Sequence, residues 1–524
     1  MDKIRARNLR SFSHSSEQPY IDIKPITVFV GKNSCGKSSL LRTLPLLRQS
    51  FESRTSGPIL WYGRYVDYGA FSEAKNNKSE CEEIFLDYKF DIRHKPNSKQ
   101  ASARPVLRTK SSIELQLGVK EEGKRTVASS INIKIEGNEI HVKLDDDCTT
   151  YLNKNKVETS TKVHYFNPTS GLLPVLYCLS QDFPELDFYD DEDVVDEWNS
   201  LEMEYEESGV IFRENILGIL RIIKPYSNDR LIWENLALSE ANLISNLSLN
   251  SKKDTLKQLF RIFSVENTPD EETCNQIYSM LLVSYLPKLI SDIDDVLESY
   301  ASSITYIAPL RASAERFYRF QDLRVEELDH TGSNLAMLLQ SFNVRQMRNF
   351  QRWSQKHFGF TILLPESNSL HYEIKIKIGE EVHNISDMGF GFSQILPIIT
   401  SLWLENNGPT NSRKRISNNS SILVIEQPEL HLHPELQTLL ARVFISVVHK
   451  SITENRRRSQ KIIFETHSKT MIDALGDYIE EHQCSELVNI VIFNKKDGIT
   501  SVDTASFDEE GDLNNWPIGF FSGR

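Results

Sequence analysis

The chain has 524 residues and a formal net charge of −13, with apolar and charged fractions ordinary for a soluble globular protein. That length allows one large core or roughly two to three domains. The acidic balance excludes a general polyanion binder and confines any nucleic-acid contact to a local patch. Six cysteines lie scattered without paired spacing, which argues for a reducing cytoplasm rather than a disulfide framework. Met1-Asp2-Lys3-Ile4-Arg5-Ala6-Arg7 carries no apolar signal core, and no apolar run is long enough to span a bilayer.

After a first short strand and Asn8-Leu9-Arg10-Ser11-Phe12, the run Ile26-Thr27-Val28-Phe29-Val30 reads as a buried strand. It leads into Gly31-Lys32-Asn33-Ser34-Cys35-Gly36-Lys37-Ser38, a complete phosphate-binding loop of the form G-x-x-x-x-G-K-[ST]. Gly31 and Gly36 let successive backbone N–H groups point at phosphate oxygens. The following helix adds its positive end, with Asn33, Ser34, Cys35 and Ser39 around the same cradle. Lys37 is placed to reach the β- and γ-phosphates of ATP, and the Ser38 hydroxyl to ligand Mg²⁺. Leu40, Leu44, Leu47 and Phe51 recur at helical spacing, and Pro45 should kink or end the first part of that helix.

Residues 81–165 read as antiparallel β-structure. Ile131, Ile133 and Ile135 alternate with polar residues, Gly137-Asn138 interrupts them, and Ile140, Val142 and Leu144 resume, giving a hairpin with one wet face. Residues 166–300 read as largely helical, with an acidic stretch from Glu185 to Glu207 that reads as a solvated face. Thr268-Pro269-Asp270-Glu271 is a helix start, read with Thr268 as cap and proline first. Leu286, Ile290, Ile293, Leu297 and Tyr300 form one core-facing stripe, and no heptad run supports a coiled-coil arm. Ile374, Ile376 and Ile378 alternate as a further strand, and Asn411 to Asn419 reads as a surface loop.

Two later strands complete the site. Ile422-Leu423-Val424-Ile425 ends in Glu426-Gln427-Pro428-Glu429, where Glu426 is placed to hold Mg²⁺ and Gln427 or Glu429 to orient the attacking water. Leu430-His431-Leu432-His433-Pro434 comes next, without the Cys or Asp that would complete metal-ligand spacing. Lys461-Ile462-Ile463-Phe464 ends in Glu465-Thr466-His467-Ser468, with His467 placed to sense the γ-phosphate.

This order of motifs resembles the ABC-type ATPases, within them the branch of the repair ATPases and the overcoming-lysogenization-defect nucleases. The resemblance implies an α/β fold: a P-loop ATPase head with a mixed sheet, an antiparallel β subdomain and a helical insertion. It also implies that two subunits sandwich two ATPs, a signature loop of one touching the γ-phosphate held by the other. The matching stretch is Asp387-Met388-Gly389-Phe390-Gly391-Phe392-Ser393-Gln394-Ile395-Leu396-Pro397, which departs from L-S-G-G-Q and leaves Gly389, Gly391 and Ser393 as the contact residues. Asp67-Tyr68-Gly69-Ala70-Phe71 lies where a glutamine loop belongs, without a glutamine. Closer still, Tyr306-Ile307-Ala308-Pro309-Leu310-Arg311, the signature stretch and the tail Trp516-Pro517-Ile518-Gly519-Phe520-Phe521 resemble the ATPase subunits, the PtuA family, of Septu-type and retron-associated antiphage systems. Such subunits work with a separate HNH nuclease (PtuB-like), and the retron versions with a reverse transcriptase and its RNA–DNA hybrid.

The resemblance divides the chain into 1–165 and 301–524 as two lobes of the head, and 166–300 as the helical insertion. The tail after His467 is short and holds no Asp-x-Asp pair, and no HNH cluster is visible, so the chain is expected to lack its own nuclease centre. Arg311, Arg316 and Arg319, then Arg345, Arg348 and Arg352, then Arg456 to Arg458, cluster near Phe317, Tyr318, Phe320, Phe350 and Trp353; solvated charge over core aromatics is the first reading and base stacking the second. The expected function is a cytoplasmic, homo-oligomeric ATPase that holds a nuclease effector in check. The alternative is an ATP-gated DNA-binding or repair clamp. Gln427 stands where many relatives carry glutamate, so hydrolysis is expected to be slow.

Overall fold

The computed structural model describes residues 1–55, 57–93, 110–145, 148–157, 163–166, 171–178, 213–227, 251–319, 325–368, 371–407, 420–454 and 459–517. The acidic stretch from Glu185 to Glu207, the loop from Asn411 to Asn419, Phe320, Arg456 to Arg458 and the last four residues of the aromatic tail motif lie outside them. The chain forms two compact units. One comprises Met1–Asp2, Ser53–Ile59 and Cys81–Glu298, the other Lys3–Glu52, Leu60–Glu80 and Ser299–Arg524.

The second unit is built on a mixed seven-stranded sheet. Its order is Ile304–Ile307, Ser420–Glu426, Ser459–Glu465, Ile26–Gly31, Val488–Lys496, Ile499–Phe507 and Leu513–Asn514. The first five strands run parallel, and the last two are added antiparallel to their neighbours. The parallel strands are near-continuous apolar runs because both faces are covered. Val28, Ile425, Phe464 and Ile490 share one core with Leu396, Phe444, Met471 and Leu475, which come from the helices Phe390–Asn407, Pro434–Thr453 and Lys469–His482. The strands end in step: Glu426 pairs with Glu465, Glu465 with Phe29, and Gly31 with Phe493.

The helix after the phosphate loop is broken as Pro45 requires. Lys37–Leu41 and Thr43–Glu52 meet at Arg42. Pro45 has no N–H to offer the Leu41 carbonyl, and its ring crowds that carbonyl. The strand expected from Ile374, Ile376 and Ile378 is Lys375–Ile378, the centre of a three-stranded antiparallel sheet with Phe360–Leu363 and Glu381–Asn384.

The first unit carries an antiparallel meander: Ile84–Arg93, Lys110–Glu122, Arg125–Ile135, Asn138–Leu144, Cys148–Leu152 and Asn155–Lys156. The apolar residues of its expected hairpin are buried, with Lys134 exposed between them. The turn falls one residue earlier than the Gly-Asn pair suggests. Glu136 (φ 47°) and Gly137 (φ 81°) are its central residues, and Asn138 opens the next strand opposite Ile135. Two left-handed residues match the twist of the flanking strands.

The helices Arg213–Ile223, Lys252–Ile262, Glu271–Ser284 and Leu286–Ser303 come after it, the last with residues up to Glu298 in this unit. The cap of Glu271–Ser284 is Asp270, not Thr268. Its carboxylate accepts the Thr273 N–H at 2.8 Å, and Pro269 precedes the helix instead of opening it. An ionised acceptor two residues nearer the free N–H groups wins. The stripe Leu286, Ile290, Ile293 and Leu297 is buried as expected. Among the described residues no helix is long and apolar enough to cross a membrane. Cys35, Cys274 and Cys484 are free thiols.

Asp294, on the helix Leu286–Ser303, accepts the Leu172 and Leu173 N–H groups at 2.9 and 3.0 Å. Burial, aided by the Glu298 and Asp295 charges, raises its pKa from 3.8 to about 7 in spite of those donors. The folded pKa lies above the unfolded one, so the fold favours the protonated acid. Stability should therefore fall as pH rises from 4 to about 7 and level off above it. Asp294→Asn keeps an acceptor for both N–H groups and should stabilise the protein at pH 8 by on the order of 2–4 kcal/mol while removing that slope. Denaturant unfolding at pH 5 and pH 8 measures both effects.

Candidate functional site

The phosphate loop sits at the carboxyl ends of the parallel strands, between the central strand Ile26–Gly31 and the helix Lys37–Leu41. Gly36 adopts φ 101°, and a Cβ there would meet the Thr500 hydroxyl at 2.8 Å and the Ser11 hydroxyl at 3.2 Å, so both conformation and space call for glycine. Thr500 Oγ1 in turn donates to the Cys35 carbonyl at 2.8 Å and fastens the loop from outside. Ser34, Cys35, Gly36, Lys37, Ser38 and Ser39 line a cavity of about 530 Å³, shared with Arg10, Arg42, Tyr68, Lys78 and Lys495. Tyr68, in the stretch that stands where a glutamine loop belongs, donates its hydroxyl to the Ser39 carbonyl. Burial raises the Cys35 thiol pKa, which keeps it protonated beside the loop.

Lys37 is 4% exposed, and its ammonium donates to the loop carbonyls of Gly31 (3.1 Å) and Lys32 (3.0 Å). The Ser38 hydroxyl lies 2.9 and 2.7 Å from the two oxygens of Glu465. Burial first, and then the Glu426 charge, raises the Glu465 pKa to about 7.

Glu426 is buried and enclosed. Arg42 donates to both its oxygens at 2.7 and 2.8 Å, the Tyr306 hydroxyl donates at 2.6 Å, and Arg311 donates to its carbonyl at 2.9 Å. The hydrogen bond to Glu426 raises the Arg42 pKa, while burial foremost raises that of Tyr306 and lowers that of Arg311 to about 10. Gln427 takes a left-handed conformation (φ 44°), strained for a residue with a Cβ, and its N–H donates to the Glu465 carbonyl at 3.1 Å. Glu429 accepts the His467 backbone N–H at 2.7 Å, which ties the end of one strand to the loop after the next. Burial raises the Glu429 pKa. Burial and the Lys37 charge lower that of His467, whose neutral form is thereby favoured at neutral pH.

The structure thus brings the phosphate loop, Glu426, Gln427, Glu429 and His467 to one end of the parallel strands. Gly389, Gly391 and Ser393 do not line the loop cavity of the same chain. They open the helix Phe390–Asn407: Gly389 has φ 73°, Phe390 is 63% exposed, and Ser393 turns its hydroxyl back to the Phe390 carbonyl at 2.7 Å. His433 caps the helix Pro434–Thr453, His431 lies against the Phe390 ring, and no cluster of three metal-ligating side chains occurs among the described residues.

Arg42, Tyr306 and Glu465 were not singled out for a role by sequence reasoning. Glu465 occupies the same strand-end position as Glu426, and Arg42 stands one helical turn after Ser38, so both carried a positional signal. Arg311 corrects the reading of its cluster: it is 6% exposed and bonded to the backbone of Glu426 and Gln427, not solvated or available to a nucleic acid. Phe350 is likewise core, whereas Arg345, Arg348 and Arg352 are exposed.

The residues fit a nucleotide and its divalent ion. The loop has room for phosphates, Lys37 is held at its mouth by neutral acceptors alone, and the hydroxyl and carboxylates suit an ion that takes its other ligands from phosphate and water. A strand, a phosphate-binding loop and a helix, with acidic residues on the neighbouring parallel strands, define a P-loop ATPase. Residues 1–472 match the AAA ATPase domain family, AAA_15, and the chain belongs to that family. No curated protein matches the chain. Among solved structures it is similar to an Smc head bound to the C-winged helix domain of ScpA (10% identity, 96% of this chain and 97% of that one, TM-score 0.36). It is also similar to an Smc head domain with a coiled coil and joint from Pyrococcus yayanosii (11% identity, 97% of each chain, TM-score 0.33).

Tyr306→Phe removes one donor from a buried carboxylate and leaves the ring in place. It should destabilise the protein by about 1–3 kcal/mol, read from the denaturation midpoint, with little loss of packing.

Proposed function

We propose that the chain is an ATP-binding and ATP-hydrolysing subunit that dimerises across ATP and controls a separate nuclease effector. The observation that carries the nucleotide reading is the intact phosphate loop, with Lys37 bonded to its backbone carbonyls and Ser38 set against the buried Glu465. In this reading Lys37 would exchange its loop carbonyls for the β- and γ-phosphates, while Ser38 and the acidic strand ends would hold Mg²⁺. A divalent ion held there would supply charge neutralisation for the phosphates. Gln427 orients the attacking water, His467 senses the γ-phosphate, and Glu429 holds the His467 loop. An amide is a poor proton acceptor, so turnover is slow and the closed state long-lived.

The opening of the signature helix is exposed at Gly389 and Phe390 and lies outside the lining of the chain's own loop cavity, which supports contact with a second copy through Gly389 and Gly391; Ser393 is buried, and its part in that contact rests on the resemblance alone. Control of an HNH nuclease, with or without a reverse transcriptase and its RNA–DNA hybrid, rests on the resemblance of the Tyr306–Arg311 and signature motifs to antiphage ATPase subunits. One observation favours a second reading, a DNA-binding clamp. The helix Val344–Phe358 contains no acidic residue and exposes Arg345, Arg348, Arg352 and Lys356, none of them in an ion pair among the described residues. Genes beside this one discriminate: an HNH nuclease or a reverse transcriptase supports the first reading.

Lys37→Ala should abolish ATP hydrolysis; unchanged phosphate release in that variant would refute the site. Gly391→Arg adds bulk at the signature helix. It should prevent ATP-dependent dimerisation, followed by light scattering, while nucleotide binding by the monomer persists. A variant that still dimerises and hydrolyses normally would rule out the sandwich.

A further inference from the structure

We propose that Arg311 is a positioning residue for hydrolysis, whose buried guanidinium sets the Gln427 turn and answers the Glu429 charge. The inference rests on the ATPase reading of this site and adds a residue that acts through its neighbours.

Arg311 lies on the loop after the strand Ile304–Ile307, and the backbone there is pinned on both sides of it. The Ala308 and Ala312 N–H groups donate to the His330 and Thr331 carbonyls at 2.9 and 2.8 Å. Gln394, on the helix Phe390–Asn407, donates to the Arg311 carbonyl at 3.4 Å. The Arg311 side chain is buried, yet Nη2 alone is bonded within the chain. It donates to the Glu426 carbonyl at 2.9 Å and, more weakly, to the Gln427 carbonyl at 3.4 Å. Nε and Nη1 are buried and find no partner among the described residues. Burying a guanidinium is costly, and a fully bonded fork usually offsets that cost. Here the fork is mostly unused, and a neutral amide would serve two carbonyls with less desolvation. The feature that needs an arginine is its charge.

That charge faces the loop that carries the hydrolytic residues. Gln427, at φ 44°, holds a conformation that persists only where its surroundings over-determine it. Its N–H donates to the Glu465 carbonyl at 3.1 Å, and its own carbonyl takes the Leu430 N–H at 3.2 Å besides Arg311. A cation beside two successive carbonyls, those of Glu426 and Gln427, holds the peptide between them in the orientation the turn needs. The turn in turn decides where the Gln427 amide stands. Glu429 is the second partner. One of its oxygens accepts the His467 N–H at 2.7 Å, and Oε2 is buried without a partner among the described residues. Burial favours the protonated acid, and the Arg311 charge acts against it. The Glu429 charge is the largest of those that keep Arg311 protonated. One cation thereby supports both residues that the proposed hydrolysis uses on this loop: Gln427 through its backbone, Glu429 through its charge.

The test reads binding and turnover separately in the full-length protein. Affinity is titrated with a fluorescent ATP analogue, and phosphate release from ATP is followed in single turnover with protein in excess. Arg311→Met removes the charge and keeps much of the volume. It should bind nucleotide about as tightly as wild type and release phosphate about tenfold or more slowly, because a small misplacement of a water-orienting group is felt in rate before affinity. Gln427→Ala decides the route. If Arg311 acts through the Gln427 turn, adding Arg311→Met to Gln427→Ala should slow release by less than about threefold further, whereas independent residues multiply their losses. Wild-type release in Arg311→Met, a loss of affinity as steep as the loss of rate, or fully multiplied losses in the double variant overturns the inference and leaves the ATP site standing. A wild type that binds nucleotide and never releases phosphate overturns the ATPase reading and this inference with it. Should Arg311→Met fail to fold, Arg311→Lys decides. It keeps a positive charge without the planar fork that reaches two carbonyls, and it should bind as wild type does and release phosphate several-fold more slowly. An unchanged rate there also overturns the proposal.

Discussion

Parallel pairing in register constrains everything else at this site. The strands Ser420–Glu426, Ser459–Glu465 and Ile26–Gly31 are apolar through residues 422–425, 462–464 and most of 26–30 because both faces of the sheet are covered, and they turn polar at the same, carboxyl end. Strand spacing is about 4.8 Å, so two glutamates and a phosphate loop at that end must share one small volume. Apolar burial holds the strands together, and it also forces these charges into a poorly solvated place, where each needs a partner. A one-residue slip of either acidic strand would turn its glutamate to the other face and dissolve the constellation.

The partners divide the two acids. Arg42 comes from the break that Pro45 imposes on the phosphate-loop helix, and Tyr306 and Arg311 come from the edge strand and the loop after it. Together they neutralise Glu426 and attach three elements to one strand end. Glu465 meets a hydroxyl and is pressed by burial and by Glu426 toward holding its proton. Two chemically identical side chains thereby acquire different properties from neighbours remote in sequence. Gln427 bears the local cost of this arrangement in backbone strain: its left-handed conformation turns the chain sharply enough to put Glu429 against the His467 N–H.

Much of this was legible in the order of residues. The phosphate loop, the acidic strand ends and the histidine after the third strand are local patterns, and each required only its own neighbours to be recognised. The hairpin and the helix start are displaced by one or two residues from where the sequence puts them, because a turn is fixed by paired register and a cap by which acceptor reaches the free N–H groups. Arg311 reads as surface charge in the sequence and is buried in the fold. Sequence shows a cluster of basic residues but not which of them is drawn under a strand end. Glu465 is equally visible in the sequence, but a glutamate at a strand end takes its meaning from what faces it across the sheet.

Composition and local pattern by themselves determined the class of fold and the family of the chain. A glycine-rich loop between a strand and a helix can cradle phosphate only in one way, and continuous apolar strands must be covered on both faces. Tertiary structure alone decided which carboxylate is bound by arginine and which faces the serine, that Arg311 is buried, and that the signature residues open a helix outside their own loop cavity. Those outcomes depend on contacts between residues hundreds of positions apart, whose distances and desolvation no local pattern encodes.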